Sequence, residues 1–121
     1  MKHIQHDKIQ CPVTATINLI GGKYKAIILW YLTKGPTRYS ELHRYIHNAT
    51  PKMLTQQLRE LEKDRLIMRK IYPIVPPKVE YSLTTFGKSI GNVMREMYKW
   101  GKDYLINQGI EVNCEMYKGN K

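Results

Sequence analysis

The sequence predicts a mainly α-helical fold that carries one small β-hairpin, and three observations lead to this class. Apolar residues recur at helical spacing through most of the 121-residue chain. Between positions 67 and 83 the pattern changes to alternation around a proline pair, which is typical of two strands and a turn. A Gly-Gly pair at 21–22 and a Gly-Pro pair at 35–36 separate the first helical stretches.

Length and composition favour a single domain with a buried core. With 42% hydrophobic and 10% aromatic residues, the chain is long enough to bury a core of its own. We expect residues 1–121 to form one domain, with a flexible arm at residues 1–10 and a polar tail at residues 110–121. No apolar run approaches the roughly 20 residues of a membrane helix, and the start of the chain is too polar for a signal peptide. These features predict a cytoplasmic protein.

The charge is strongly basic and unevenly distributed. The net charge is +10, from 20 Lys and Arg against 10 Asp and Glu. Residues 34–78 hold ten of the cations and four of the anions, which is a net +6. Such a concentration of positive charge indicates a polyanionic partner such as nucleic acid or anionic lipid, although basic charge can also serve solubility alone.

Three helices are predicted in the first part of the chain. The first opens at Cys11-Pro12 and ends at the glycine pair. The second runs from about residue 23 to residue 32. A short β-prone segment at 37–39 precedes the third, which begins at Ser40 or Tyr39 and ends at residue 47. The apolar positions predicted to face inward on the second and third helices are Tyr24, Ile27, Ile28, Tyr31, Leu32, Leu42 and Ile46.

The fourth predicted helix, at residues 50–63, has a clear start and two unlike faces. Thr50 is a good N-cap, and the proline after it suits a first helical turn. Leucines at positions 54, 58 and 61 form one apolar stripe. We expect Glu60 and Glu62 on the two flanks of the opposite face. That face carries cations and hydrogen-bonding side chains: Lys52, Thr55, Gln56, Arg59 and Lys63.

Such a helix fits a DNA major groove, but taken alone it also fits an ordinary surface helix. Two strands follow it, at residues 67–74 and 78–83, and their hairpin bears Arg69, Lys70 and Lys78. Thr84 or Thr85 is then expected to cap one long final helix over residues 86–107. Its apolar stripe is long for so small a domain, which suggests a partner helix: Ile90, Val93, Met94, Met97, Trp100, Tyr104 and Leu105.

The order of these elements defines a winged helix-turn-helix. The third and fourth helices are joined by a three-residue turn at 47–49, and the fourth is the longer and more basic of the two. The hairpin that follows corresponds to a wing. The predicted fold is therefore mainly α with a small β wing.

Three stretches of the sequence are more specific than this general pattern. They are Cys11-Pro12-Val13 with Leu19-Ile20-Gly21-Gly22-Lys23 and Lys25; Leu54-Thr55-Gln56-Gln57-Leu58-Arg59-Glu60-Leu61-Glu62; and Val75-Pro76-Pro77-Lys78-Val79-Glu80-Tyr81-Ser82-Leu83-Thr84. In these residues the chain resembles the HxlR-type transcription regulators, a winged helix-turn-helix family related in architecture to the MarR-type repressors. The similarity extends from about residue 11 to residue 104. The chain departs from the family at two positions: Tyr24 stands where Trp is usual, and Arg65 where Gly is frequent. If the backbone of Arg65 is left-handed, Arg costs about 1 kcal/mol relative to Gly.

The resemblance implies a homodimer, joined through the N- and C-terminal helices, on operator DNA with dyad symmetry. Each protomer would place the helix at 50–63 in a major groove, with half-sites about one helical turn apart. Gln56 and Arg59 are assigned to base edges. The other assigned contacts are to the DNA backbone: Thr50, Lys52, Thr55 and Lys63 on the helix, and Arg69, Lys70 and Lys78 on the wing, which can also reach the minor groove. For each residue the alternative is a solvated side chain.

Cys11 is a candidate redox sensor. It precedes a helix, where the thiolate is favoured, and several members of the family resembled sense oxidants or electrophiles with a cysteine at this position. The resemblance implies reversible oxidation or alkylation of Cys11 that releases DNA. The alternative is a small buried residue in the dimer core. Cys114 is a candidate resolving partner across the dimer, or else incidental.

Other functions receive less support. His43 and His47 have helical spacing but lack the Glu of a zinc hydrolase motif, and Gly21-Gly22-Lys23 lacks the spacing of a phosphate-binding loop. We therefore expect no enzyme, no metal and no cofactor. Two alternatives stay open: an architectural protein that binds nucleic acid without sequence preference, and a domain whose last helix binds a different protein. A small-molecule effector between the first and last helices is also compatible with the sequence.

Overall fold

The computed structural model describes residues 9–112, which form helices around a small antiparallel sheet. The elements in chain order are α1 (Pro12–Ile20), α2 (Lys25–Leu32), β1 (Thr37–Arg38), α3 (Tyr39–Tyr45), α4 (Pro51–Lys63), β2 (Ile67–Tyr72), β3 (Lys78–Leu83), α5 (Thr85–Lys88) and α6 (Gly91–Asn107). The sheet has the order β1-β3-β2, with Thr37 opposite Tyr81 and Ile67 opposite Leu83. This arrangement confirms the predicted winged helix-turn-helix.

The core lies between α2, α3, α4 and the inner face of the sheet. Leu54, Leu58 and Leu61 of α4 are at most 1% exposed, which confirms the predicted apolar stripe. Leu42 and Ile46 are buried beside them, also as predicted. Full burial of a leucine stabilises the fold by about 1.5–3 kcal/mol, so the stripe fixes the rotation of α4 about its own axis.

Both ends of α4 are fixed by local hydrogen bonds. The Thr50 hydroxyl accepts a hydrogen bond from the Met53 N–H at 3.1 Å, which confirms the predicted N-cap. At the other end, Arg65 has a φ of 64°, in the left-handed region. Leu66 N–H then donates to the Leu61 carbonyl at 3.0 Å, and the chain enters β2 directly. The wing therefore follows the helix after a turn of only three residues, 64–66.

The C-terminal helix is broken, so the prediction of one continuous helix was wrong. Thr84 caps α5 by accepting from Gly87 N–H at 2.9 Å and donates its own hydroxyl to the Arg65 carbonyl at 2.6 Å. A Cβ on Gly87 would lie 1.9 Å from the Leu66 carbonyl oxygen, so α5 sits against the start of β2. Ser89 and Ile90 then bond to carbonyls three residues earlier, a tighter turn than an α-helix, before α6 begins.

Other boundaries differ from prediction by a few residues. The second helix begins at Lys25, α3 ends at Tyr45 and β2 ends at Tyr72. Ile27 was expected in the core but is 42% exposed. The predicted arm and tail lie mostly outside the described residues. No helix within residues 9–112 combines the length and the apolar character that a membrane span requires.

Replacing Arg65 with glycine is expected to raise the free energy of unfolding by about 1 kcal/mol, because glycine has no Cβ to clash in a left-handed conformation. Urea denaturation of the native protein and Arg65→Gly measures the difference. The matched control is Arg44→Gly, at an exposed helical position of α3, which should lower stability by about 1 kcal/mol. Destabilisation by both substitutions would contradict the left-handed backbone at residue 65.

Candidate nucleic-acid interface

The solvent-facing side of α4 forms a shallow, open groove. The groove is lined by Pro51, Lys52, Thr55, Gln56, Arg59, Glu60 and Lys63. Five residues predicted to contact DNA from this helix are thus brought together on one surface, directly opposite the buried leucines. Thr50 lies at the N-terminal end of the same helix and is exposed, although its hydroxyl oxygen already caps the helix.

Glu60 lies within this surface, whereas the sequence had placed it on a flank. Its Oε1 is 2.8 Å from Lys25 Nζ on α2, and its Oε2 accepts a hydrogen bond from Gln56 Nε2 at 3.4 Å. The side chain of Lys25 is only 9% exposed and that of Glu60 is 42% exposed. The Glu60 carboxylate therefore lies among the cations of the groove and is paired with a lysine that is largely buried.

A second contact fixes α4 against the loop between α1 and α2. Tyr24 N–H donates to Gln57 Oε1 at 3.0 Å. A Cβ on Gly22 would lie 2.4 Å from the same oxygen, so a larger residue at position 22 would require the Gln57 side chain to move away from this contact. Gly22 therefore lies beside the Gln57 side chain of α4.

Sequence reasoning missed both of these contacts, although a signal for the first was present. Lys25 stands three, four and seven residues before Ile28, Leu29 and Leu32, and all three are at most 1% exposed. A lysine on the buried face of a helix requires an anionic partner. The sequence contained that requirement, but the partner lies 35 positions away and only the fold identifies it.

The three predicted cations of the wing do not form a single surface. Arg69 is opposite Tyr81 and points to the same face as the buried Ile67, with its Nε 3.9 Å from Glu62 Oε2. Lys70 and Lys78 lie on the other face, where both ammonium groups approach the Tyr72 ring, at 4.9 and 4.4 Å from its centroid. Arg69 is therefore the wing cation oriented toward α4.

Large apolar side chains are exposed on α1 and α6. Trp100 is 73% exposed and stacks on Tyr104, with ring centroids 6.0 Å apart. Exposed apolar patches of this kind usually mark an interaction surface. The same helices expose Val13, Ile17, Val93 and Met97. A groove of about 350 Å³ lies between α2 and α6 and is lined by Ala26, Ile27, Trp30, Tyr31, Met94, Met97 and Tyr98.

Cys11 is exposed at the N-cap position of α1. The thiol makes no cap hydrogen bond of ordinary geometry, yet the backbone N–H groups of Thr14 and Val13 lower the pKa of Cys11, and the Thr14 hydroxyl adds a smaller effect. The cause is the proximity of these N–H and O–H donors, which favour the thiolate over the neutral thiol. Its candidate partner Cys114 lies outside the described residues.

The histidine pair does not have the geometry of a helical metal site. Because α3 ends at Tyr45, His47 lies in the turn rather than one helical turn beyond His43. One nitrogen of the His43 ring is 3.1 Å from the Ala49 carbonyl oxygen. A carbonyl can only accept, so His43 donates there and helps to hold the turn before α4.

A short helix, a tight turn, a longer helix with a basic exposed face and a β-hairpin together define a winged helix-turn-helix DNA-binding protein. The HxlR-like helix-turn-helix family matches residues 19–109 of this chain. The chain is 50% identical over 109 residues to the uncharacterized HTH-type transcriptional regulator YkvN of Bacillus subtilis (strain 168). The aligned region covers 90% of this chain and 92% of YkvN.

Solved structures agree with this assignment. The redox regulator HypR in its oxidized form has a TM-score of 0.74 and 45% identity, covering 77% of this chain and 96% of HypR. The reduced form of the transcriptional regulator YodB from B. subtilis has a TM-score of 0.68 and 32% identity, covering 79% of this chain and 95% of YodB. The protein belongs to the HxlR-like helix-turn-helix family and is a transcriptional regulator.

Alkylation of Cys11 by iodoacetamide is expected to reach its maximum rate at a lower pH than alkylation of cysteine in an unstructured peptide. Only the thiolate reacts, and a lowered pKa populates the thiolate at lower pH. The measurement uses Cys114→Ser, so that a single thiol is followed. Thr14→Val keeps the backbone N–H and removes the hydroxyl, so its midpoint should lie between those of the native site and the peptide. A native midpoint equal to that of the peptide would contradict the lowered pKa.

Proposed function

We propose that the protein is a sequence-specific DNA-binding regulator that acts as a homodimer on a dyad-symmetric operator. The observation that carries this proposal is the exposed face of α4, where Gln56 and Arg59 stand between flanking cations while the leucines of the same helix are buried. A helix held in this way can enter a major groove with its polar side toward the base edges. The binding partner is double-stranded DNA, with half-sites about one helical turn apart.

The polar residues of α4 divide into two roles. Gln56 pairs with adenine and Arg59 with guanine, each through two hydrogen bonds worth about 1–3 kcal/mol of discrimination. Residues near the ends and edges of the helix contact phosphates and set the register of the helix on the duplex. These are Thr50, Lys52, Thr55 and Lys63.

The wing adds contacts outside the major groove. Arg69, on the face that carries the buried Ile67, reaches the DNA backbone beside α4. Lys70 and Lys78 lie on the other face of the hairpin and contact the flanking backbone or the minor groove. All three contribute affinity that is independent of sequence and falls with salt.

Dimerisation through α1 and α6 completes the regulator. Those helices expose Trp100, Met97, Val13 and Ile17, and a second copy would remove this apolar surface from water. The regulator works in the cytoplasm as one domain, without a catalytic role or a cofactor. For a small-molecule effector the candidate site is the groove between α2 and α6, whereas the sequence had suggested a site between the first and last helices.

Cys11 is proposed to make this regulator responsive to oxidants or electrophiles. Its thiol is exposed and its pKa is lowered, which are the two properties that favour reaction. The similar protein HypR is named a redox regulator. Modification of Cys11, with or without Cys114 as the resolving thiol, would change the geometry of the dimer and release DNA.

Arg59→Ala is expected to weaken binding to an operator selected from a random DNA pool by about 5- to 150-fold, because a bidentate contact to a base is lost. Binding to unrelated DNA should fall much less, and all binding should weaken steeply as salt rises. The matched control Lys63→Ala removes one cation and should weaken both DNAs alike. Equal losses of affinity for operator and unrelated DNA in Arg59→Ala would make Arg59 a contact to the DNA backbone. A native protein that selects no DNA sequence would support an architectural protein instead.

Trp100→Glu is expected to convert the protein from a dimer to a monomer, because it places a charge in the proposed apolar interface. Sedimentation equilibrium measures the mass, and circular dichroism checks that the helices remain. Met68→Glu is the control, since Met68 is 52% exposed on the wing and should leave the dimer intact. A native protein that sediments as a monomer would contradict the homodimer.

A mild oxidant is expected to release the native protein from its operator, and a reductant is expected to restore binding. Cys11→Ser should remain bound under the same conditions, because it has no thiol at the reactive position. Fluorescence anisotropy of labelled operator follows both proteins. Cys114→Ser separates a resolving role from an incidental one. Identical responses of the native protein and Cys11→Ser would eliminate Cys11 as the sensor.

A further inference from the structure

We propose that Glu60 is a specificity-determining residue of the DNA-binding surface, because its carboxylate, held by Lys25, fixes the side-chain amide of Gln56 for reading a base. Glu60 acts through Gln56 and is therefore a positioning residue. The inference rests on the proposed function of sequence-specific binding and adds a residue that sets that specificity.

The position of Glu60 is unfavourable for DNA affinity alone. It is the carboxylate among the residues that line the α4 groove, together with Lys52, Arg59 and Lys63. A negative charge in a surface that meets phosphates opposes association with every DNA sequence. A glutamate at this place therefore requires a role other than the attraction of DNA.

Lys25 holds the Glu60 carboxylate in place. The ammonium group lies 2.8 Å from Glu60 Oε1, and the Lys25 side chain is 9% exposed. If the carboxylate moved away, the buried ammonium would lose its counter-charge and the folded protein would be destabilised, so the pair resists separation. One oxygen of the Glu60 carboxylate is thus held by α2, although the side chain is 42% exposed.

The second oxygen of the same carboxylate determines the orientation of the Gln56 amide. Glu60 Oε2 accepts a hydrogen bond from Gln56 Nε2 at 3.4 Å. A carboxylate has only acceptors, so the NH₂ end of the amide must face it and the carbonyl end must point away. The flipped orientation would place two oxygens against each other and is disfavoured.

This orientation leaves Gln56 with the groups that adenine requires. One N–H of the amide is bonded to Glu60, while the other N–H and the carbonyl oxygen remain for a ligand. Adenine presents one acceptor, N7, beside one donor, the N6 amino group. A Gln56 amide held by Glu60 therefore meets this pair in a single orientation, without first selecting between two.

The test compares Glu60→Gln with Glu62→Gln after an operator has been selected with the native protein. Each variant removes one negative charge from α4, but Glu62 pairs with Arg69 outside the groove. The base pair read by Gln56 is defined as the one whose preference disappears in Gln56→Ala. A glutamine at position 60 can accept from or donate to Gln56, so it permits both orientations of the Gln56 amide.

The two variants are expected to differ at that base pair alone. Both should bind unrelated DNA more tightly than the native protein, because a negative charge is gone. Glu60→Gln should also lose discrimination at the Gln56 base pair by about five-fold or more, whereas Glu62→Gln should keep it. Discrimination at the Arg59 base pair should remain in both. Unchanged base preference in Glu60→Gln would show that Glu60 does not position Gln56, and it would overturn the inference.

A readout without DNA separates this inference from the proposed function. In ¹⁵N-edited NMR spectra of the free protein, the Gln56 side-chain amide is identified by its absence in Gln56→Ala. Its two proton shifts should move in Glu60→Gln and in Glu60→Asp, which keeps the charge but withdraws the carboxylate, and should not move in Glu62→Gln. Unmoved shifts overturn the inference even if the native protein selects an operator. A native protein that selects no operator overturns the proposed function and the inference with it.

Discussion

The burial of Leu54, Leu58 and Leu61 is the constraint on which the rest of the structure depends. Because these side chains are at most 1% exposed, the opposite side of α4 faces solvent, and with it the amide and cations of the groove. The same rotation brings Glu60 to Lys25 and Gln57 to the backbone of Tyr24. The hydrophobic core therefore decides not only the stability of the protein but also which polar residues of α4 face solvent.

The helix α4 and its polar face could be predicted from the sequence because their signals are local. A threonine cap, a proline in the first turn and a leucine period of 3.6 residues are all contained within residues 50–63. The wing cations were also identified, but their division between two faces depends on the strand register, which the sequence alone does not reveal. The resemblance to HxlR-type regulators was confirmed by the family match over residues 19–109.

What sequence reasoning missed depends on contacts between distant residues. The prediction of a continuous last helix rested on an unbroken apolar period, whereas the break follows a turn where Gly87 packs on the Leu66 carbonyl. Glu60 was assigned to a flank from helical angles alone, because its partner Lys25 belongs to another helix. In both cases a tertiary contact determined a local feature.

The interruption of the C-terminal helix has a geometric consequence for an assembled regulator. Thr84 bonds to the Arg65 carbonyl, so α5 is held against the turn that follows α4, while α6 begins after Ser89 and Ile90 and packs on α2, where Tyr98 stacks on Trp30. In the proposed dimer, joined through α6, the direction in which α6 leaves this turn would set the distance and the tilt between the two copies of α4. Operator spacing would then depend on the turn at residues 89 and 90, and base recognition would depend on α4.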